Sequence, residues 1–173
     1  MWFVMRDLKR SNARIPARKL LAEKGFEVFT PMCERLVEKG GKPERQVVPA
    51  VADMLFVNSE REMLDPVVDI VATLQYRYLK GAPYRTPMPV SDAEMTRFIK
   101  AVNASVSAPT YFLPEEITSE MEGRRVMVKD GPLSGYEGKL LKVKGSRKRR
   151  LLVKLEGYLV AAVEIEATYV EFV

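Results

Sequence analysis

The stretch VMVKDGPLSGYEG, Val126 to Gly138, reads as an apolar strand, a punctuated turn and the start of a second strand. Val126 and Val128 are β-branched and favour an extended backbone. Asp130-Gly131-Pro132 supplies the turn, while Gly135 and Gly138 permit conformations that a Cβ resists. A hairpin is therefore expected. Further extended segments follow at Lys139–Lys144, Leu151–Leu155 and Val160–Ile165, with a short closing strand at Tyr169–Val173. Turns fall at Lys144-Gly145-Ser146 and Glu156-Gly157. Five short strands in about fifty residues predict a small barrel, since so short a chain buries little core and closure removes exposed edges.

The spacing of Val128, Gly131, Pro132, Gly135 and Gly138 resembles the KOW motif of NusG-like transcription factors and several ribosomal proteins. The amino terminus narrows the choice. Trp2-Phe3-Val4-Met5 resembles the opening strand of the NusG amino-terminal (NGN) domain, and Phe29-Thr30-Pro31-Met32 resembles its strand ending in a proline turn. Glu38-Lys39-Gly40-Gly41-Lys42 is similar to its charged hairpin tip, Met54-Leu55-Phe56-Val57 to a later strand, and Pro89-Val90-Ser91-Asp92-Ala93-Glu94-Met95 to the start of its last helix. The order is colinear from Trp2 to Val173. Two motifs depart from the family pattern. Ala52-Asp53-Met54 stands where a Pro-Gly-Tyr turn is usual, and Tyr158 to Glu164 replaces a Gly-Arg-x-Thr-Pro-Val-Glu hairpin.

Composition is consistent with this. The 173 residues are 47% apolar, and no apolar run approaches the roughly 20 residues of a spanning helix, so a cytoplasmic protein without membrane attachment is expected. One cysteine, Cys33, excludes an internal disulfide and reads as a half-buried strand residue. The absence of histidine removes the commonest general base and a frequent metal ligand. Asp65 and Asp69, one helical turn apart, read as a solvated face. Neither an enzyme, a cofactor nor a metal is implied.

Charge divides the chain. Residues 1–104 carry 17 basic and 13 acidic groups, residues 105–121 three acids and no base, and residues 122–173 11 basic and 7 acidic groups. With two prolines and no clear period, 105–121 reads as a linker between an NGN domain (1–104) and the KOW barrel (122–173). Within 1–104 the pattern predicts a strand at Trp2–Arg6 and a helix from about Asn12 to Lys24, capped by Ser11 or Asn12 with Pro16 in its first turn. A long hairpin of about 26–37 and 45–57 turns at Gly40-Gly41, followed by a short helix near 63–68 and a strand at 74–79. The last helix, about 92–103, carries an apolar stripe of Met95, Phe98, Ile99 and Val102. The fold class expected is α+β, an antiparallel NusG-type sheet with flanking helices followed by a five-stranded SH3-like barrel.

The resemblance implies a monomer that lays an apolar patch on the clamp helices of the largest RNA polymerase subunit, near the DNA of the transcription bubble. Matching strands place the polymerase-binding patch at Phe3, Met5, Val51, Met54 and Phe56, flanked by Tyr76 and Tyr78. Strand alternation turns about half of such side chains into core. Lys9, Arg10, Arg14, Arg18 and Lys19 form a basic first helix suited to DNA phosphate contact or to a solvated face, and Arg147, Lys148, Arg149 and Arg150 form a basic turn in the barrel suited to RNA phosphate or simply to keeping a small barrel soluble. The family's barrel recruits a small-subunit ribosomal protein or the terminator Rho through its last hairpin, here Tyr158, Leu159 and Val160. The altered hairpin argues against Rho. The expected function is a specialised antitermination and elongation factor for long operons. The alternatives are a housekeeping NusG-like factor and a ribosome- or RNA-binding KOW protein.

Overall fold

The computed structural model describes residues 1–8 and 15–173. The chain divides into two compact units, Met1–Asp92 and Ala93–Val173. Among the described residues no helix is long and apolar enough to cross a membrane.

The first unit runs β1 (Trp2–Asp7), α1 (Ala17–Glu23), β2 (Glu27–Phe29), β3 (Met32–Lys39), β4 (Lys42–Pro49), β5 (Met54–Asn58), α2 (Arg61–Ile70), β6 (Leu74–Tyr76) and β7 (Pro89–Val90). Its antiparallel sheet has the order β2-β5-β1-β6, with β7 also on β1. Alternation along β1 and β5 sorts side chains to two faces. Phe3, Met5, Leu55, Val57, Leu74 and Tyr76 share a core with Ala17 and Leu21 of α1 and Leu64 of α2. The sheet's other face carries Trp2, Val4, Met54 and Phe56, which are also buried.

Two expectations need correction here. Helix α1 begins at Ala17, after Pro16 at the N-cap, not near Asn12. The Asp7 carboxylate, ten residues upstream, accepts the Ala17 N–H at 2.8 Å and so does the work of a local cap. Ser11 and Asn12 lie outside the described residues. The two long strands are each broken: Pro31 separates β2 from β3, and the turn at Ala50–Asp53 separates β4 from β5. The hairpin β3–β4 therefore forms a two-stranded sheet of its own, with Cys33 half-buried on it. Gly40 and Gly41, at φ 60° and 78°, close the Lys39–Lys42 pair in the doubly left-handed turn that two-residue hairpins prefer.

The second unit holds α3 (Asp92–Asn103), almost wholly, and then β8 (Thr110–Phe112), β9 (Glu122–Val128), β10 (Glu137–Leu141), β11 (Arg149–Leu155), β12 (Leu159–Ile165) and β13 (Val170–Phe172). Strands β9 to β13 are the five expected from the KOW pattern. Their order in the antiparallel sheet is β13-β9-β10-β11-β12, and β8 adds a sixth strand beside β12. That strand lies inside the stretch whose composition reads as a linker, with Thr110, Tyr111 and Phe112 opposite Ala162, Ala161 and Val160. The pattern assigns α3 to the first domain, and the division into compact units groups all of it but Asp92 with the second. The Tyr136 hydroxyl donates to the Arg97 carbonyl at 2.6 Å, and the Arg97 guanidinium stands 4.5 Å from the Tyr136 ring centroid. Met95, Phe98, Ala101 and Val102 form the buried face of α3.

Gly131 shows why the KOW turn demands its residue. Its φ is +77°, and a Cβ there would lie 2.7 Å from Cε2 of Tyr169. The hairpin closes through Val128 N–H to Tyr136 O and Gly135 N–H to Val128 O, both 2.8 Å. Leu133, at the turn, is buried.

Candidate functional site

The polymerase patch inferred from sequence falls on two faces of the first sheet. Phe3, Met5 and Tyr76 belong to the core beneath the helices. The Phe3 and Tyr76 rings meet edge to face at 5.7 Å. The Tyr76 hydroxyl donates to Asp65 Oδ1 at 2.7 Å, and Arg61 pairs with the same carboxylate. Burial, then the bond to Asp65, raises the Tyr76 pKa well above that of a free phenol. Asp65 thus fastens α2 to the sheet while its side chain stays 41% exposed, and Asp69 is exposed.

Met54 and Phe56 occupy the opposite face with Trp2 and Val4, all at most 3% exposed. Phe29 of β2 adds its ring, 6.1 Å from that of Phe56. Val51 is half-buried in the turn before β5, and Tyr78 is 41% exposed beyond β6. Sequence reasoning missed Trp2, Val4 and Phe29 as members of this face. The β1–β5 register, Val4 opposite Phe56, is the signal that identifies them.

That turn also explains one departure from the family pattern. Asp53 adopts φ 62°, the left-handed region that the family's glycine would reach freely. Aspartate tolerates it better than most residues. Its carboxylate is held by Arg6 at 3.0 Å and Arg77 at 3.5 Å, binding the turn to β1 and to the segment after β6.

Of the basic residues proposed for the first helix, Arg18 is half-buried and Lys19 exposed on α1. Lys9, Arg10 and Arg14 lie outside the described residues. The barrel cluster opens β11. Arg147 is exposed in the preceding loop, and Lys148 pairs with Glu164 at 3.6 Å. Arg149 stands over the Phe172 ring, 4.8 Å from its centroid, and Arg150 is half-buried.

The residues inferred to bind the barrel's partner do not form a common surface. Leu159 and Val160 are buried and Tyr158 half-buried. Val160 packs with Leu152 and Ala162 under Phe112, Ile117 and Leu141. Burial, with the charge of Glu94, raises the Tyr158 pKa. The unbroken apolar run Leu159 to Val163 carried a signal for this arrangement, since a strand covered on both faces loses its polar alternation.

An antiparallel sheet backed by helices and followed by a strand-rich unit with the KOW turn is the two-domain architecture expected of a NusG-like transcription elongation and termination factor. The family model described as transcription termination factor NusG matches residues 1–99, and the chain belongs to this family. A solved structure of NusG from Thermotoga maritima, concerned with domain interaction, aligns over 98% of this chain and 95% of its own length at 15% identity, with a TM-score of 0.49. Comparison with curated proteins finds no match.

Proposed function

We propose that this NusG-family protein is a specialised antitermination factor. It binds the clamp helices of the largest RNA polymerase subunit and suppresses pausing or termination on particular long operons. It works in the cytoplasm as a monomer and by contact alone, without catalysis. The observation that supports this reading is the apolar sheet face of Trp2, Val4, Phe29, Met54 and Phe56, opposite the face that α1 and α2 cover. Rigid aromatic and methionine side chains on a sheet suit a helical partner at low ordering cost. Four of these residues are nearly inaccessible in this conformation, so docking on them requires their exposure. Val51 and Tyr78 are the accessible members of the patch inferred from sequence.

Arg18 and Lys19, with the basic residues before them, supply salt-sensitive contact to the bubble's DNA. A small-subunit ribosomal protein is the proposed partner of the barrel. Specialisation rests on Asp53 in the turn and on the Tyr158–Glu164 hairpin, and the altered hairpin speaks against Rho. The test is a transcription assay with purified polymerase on templates with and without candidate leader regions. Leader-dependent read-through is the expected result. Leader-independent effects would mean a general elongation factor, and no effect with no polymerase binding would leave a ribosome- or RNA-binding role.

A further inference from the structure

Residues 142–150 place six cations, Lys142, Lys144, Arg147, Lys148, Arg149 and Arg150, in nine positions without an acid. A basic hairpin tip is not by itself a binding site, since such tips keep small domains soluble. Here the fold adds an aromatic group that the sequence pattern does not predict. Phe172 of β13, 38% exposed, lies under two guanidiniums, Arg124 of β9 at 4.0 Å and Arg149 of β11 at 4.8 Å from its ring centroid. Strands distant in sequence thus converge on one exposed ring beside the basic loop.

The ion pairs nearby leave this charge uncompensated. Glu171 is taken by Lys129 at 3.0 Å, Glu164 by Lys148, and Glu122 by Lys139 and Lys154. Lys142, Lys144 and Arg147 have no ion-pair partner among the described residues, and Glu166, beside the Arg149–Ile165 pair, is the free carboxylate to set against them. Guanidinium planes and an aromatic ring offer stacking surfaces to unpaired bases, while flexible cations beside them suit a phosphodiester backbone. A duplex, whose bases are already stacked, could use only the charge.

We infer that Arg124, Phe172 and Arg149, with Lys142, Lys144 and Arg147, form a binding site for a single-stranded polynucleotide. The inference deepens the nucleic-acid reading of the barrel's basic turn and is independent of polymerase binding, because the site needs no polymerase to be tested.

The experiment is fluorescence anisotropy of the full chain with labelled oligonucleotides of about 12 nucleotides, within the site sizes of single-strand binders. Oligouridine, oligothymidine and a DNA duplex of equal length are compared over a salt series, with heparin as a competitor. Either single strand should bind tighter than the duplex, and the ratio of RNA to DNA affinity identifies the strand preferred. Phe172→Leu should weaken single-strand binding by about tenfold and leave duplex affinity unchanged. The pair Lys144→Gln and Arg147→Gln should reduce the slope of log affinity against log salt by about 0.7 for each phosphate that is no longer neutralised. Arg124→Gln, which removes no packed apolar group, provides a second variant, and each is checked for its native melting transition. Equal affinity for duplex and single strands, or an undiminished Phe172→Leu, would overturn the site in favour of a general polyanion surface. Lost polymerase binding with intact oligonucleotide binding would instead fault the clamp reading alone.

Discussion

Asp53 and Gly131 show two ways to meet a left-handed backbone. At Gly131 there is no room for anything larger, because the Tyr169 ring fills the space where a Cβ would project. Gly131→Ala combines that clash with backbone strain and should cost about 2 kcal/mol. A thermal melt of the variant beside the native chain measures it, and an unchanged midpoint would contradict this account of the KOW turn. At Asp53 the conformation is offset by ion pairs to Arg6 and Arg77. These partners are partly exposed, so each pair contributes little. Asp53→Ala should therefore lose about 1–2 kcal/mol, mostly from placing alanine in the left-handed region. Asp53→Gly should lose less, and a larger loss for glycine would show that the ion pairs dominate. Trp2 offers a third residue-level reading. The chain's one tryptophan is 3% exposed, so acrylamide should quench its emission weakly in the free protein, and strong quenching would show that the face is already open.

Between elements, two glutamates tie the barrel together. The Glu122 carboxylate of β9 accepts from Lys139 of β10 and Lys154 of β11, and those bonds hold its pKa below the ordinary glutamate value of 4.5. Glu164 of β12 is held low first by the bond from Ser107, with Lys148 and Arg150 adding charge. A carboxylate whose folded pKa is depressed contributes stability above its unfolded value and loses it as pH falls through the folded one. Denaturant midpoints should therefore drop as pH falls below 4.5, and Glu122→Gln should flatten that dependence. An equal acid slope in the variant would remove Glu122 from the linkage. Elements were legible wherever the signal was local. The KOW strands, the Gly40-Gly41 turn and α3 follow from glycine placement and apolar period. The start of α1 was not legible because its capping carboxylate comes from Asp7 in a strand. Strand β8 was hidden because a three-residue strand among the four residues between Pro109 and Pro114 carries no period, and only pairing with β12 makes it a strand. The two faces of the first sheet were half-legible: its strands could be read, but Phe3 and Met5 alternate with Trp2 and Val4, and only the packing of α1 and α2 shows which set lies beneath those helices.

At the scale of the whole molecule, membership of the NusG family fixes the process and not the contacts. The family match ends at residue 99, so the barrel's partners rest on its surface. That surface has its β12 edge paired with β8, while Lys142, Lys144 and Arg147 of its basic loop have no ion-pair partner among the described residues, which favours nucleic acid at the loop over strand addition at that edge. The clamp reading concentrates on one face of the first sheet, and it predicts a division between residues adjacent in sequence. The decisive measurement is a pull-down of purified protein with core RNA polymerase at two salt concentrations, using the native chain, Phe56→Ala, and Val57→Ala as a control for core damage. Both truncations create cavities costing a few kcal/mol or less, so melting curves establish that each variant is folded at the assay temperature. The account predicts that Phe56→Ala loses polymerase while Val57→Ala retains it, with binding at low salt largely surviving at high salt because the contact is apolar. Retained binding by folded Phe56→Ala, or loss by both variants alike, would contradict it.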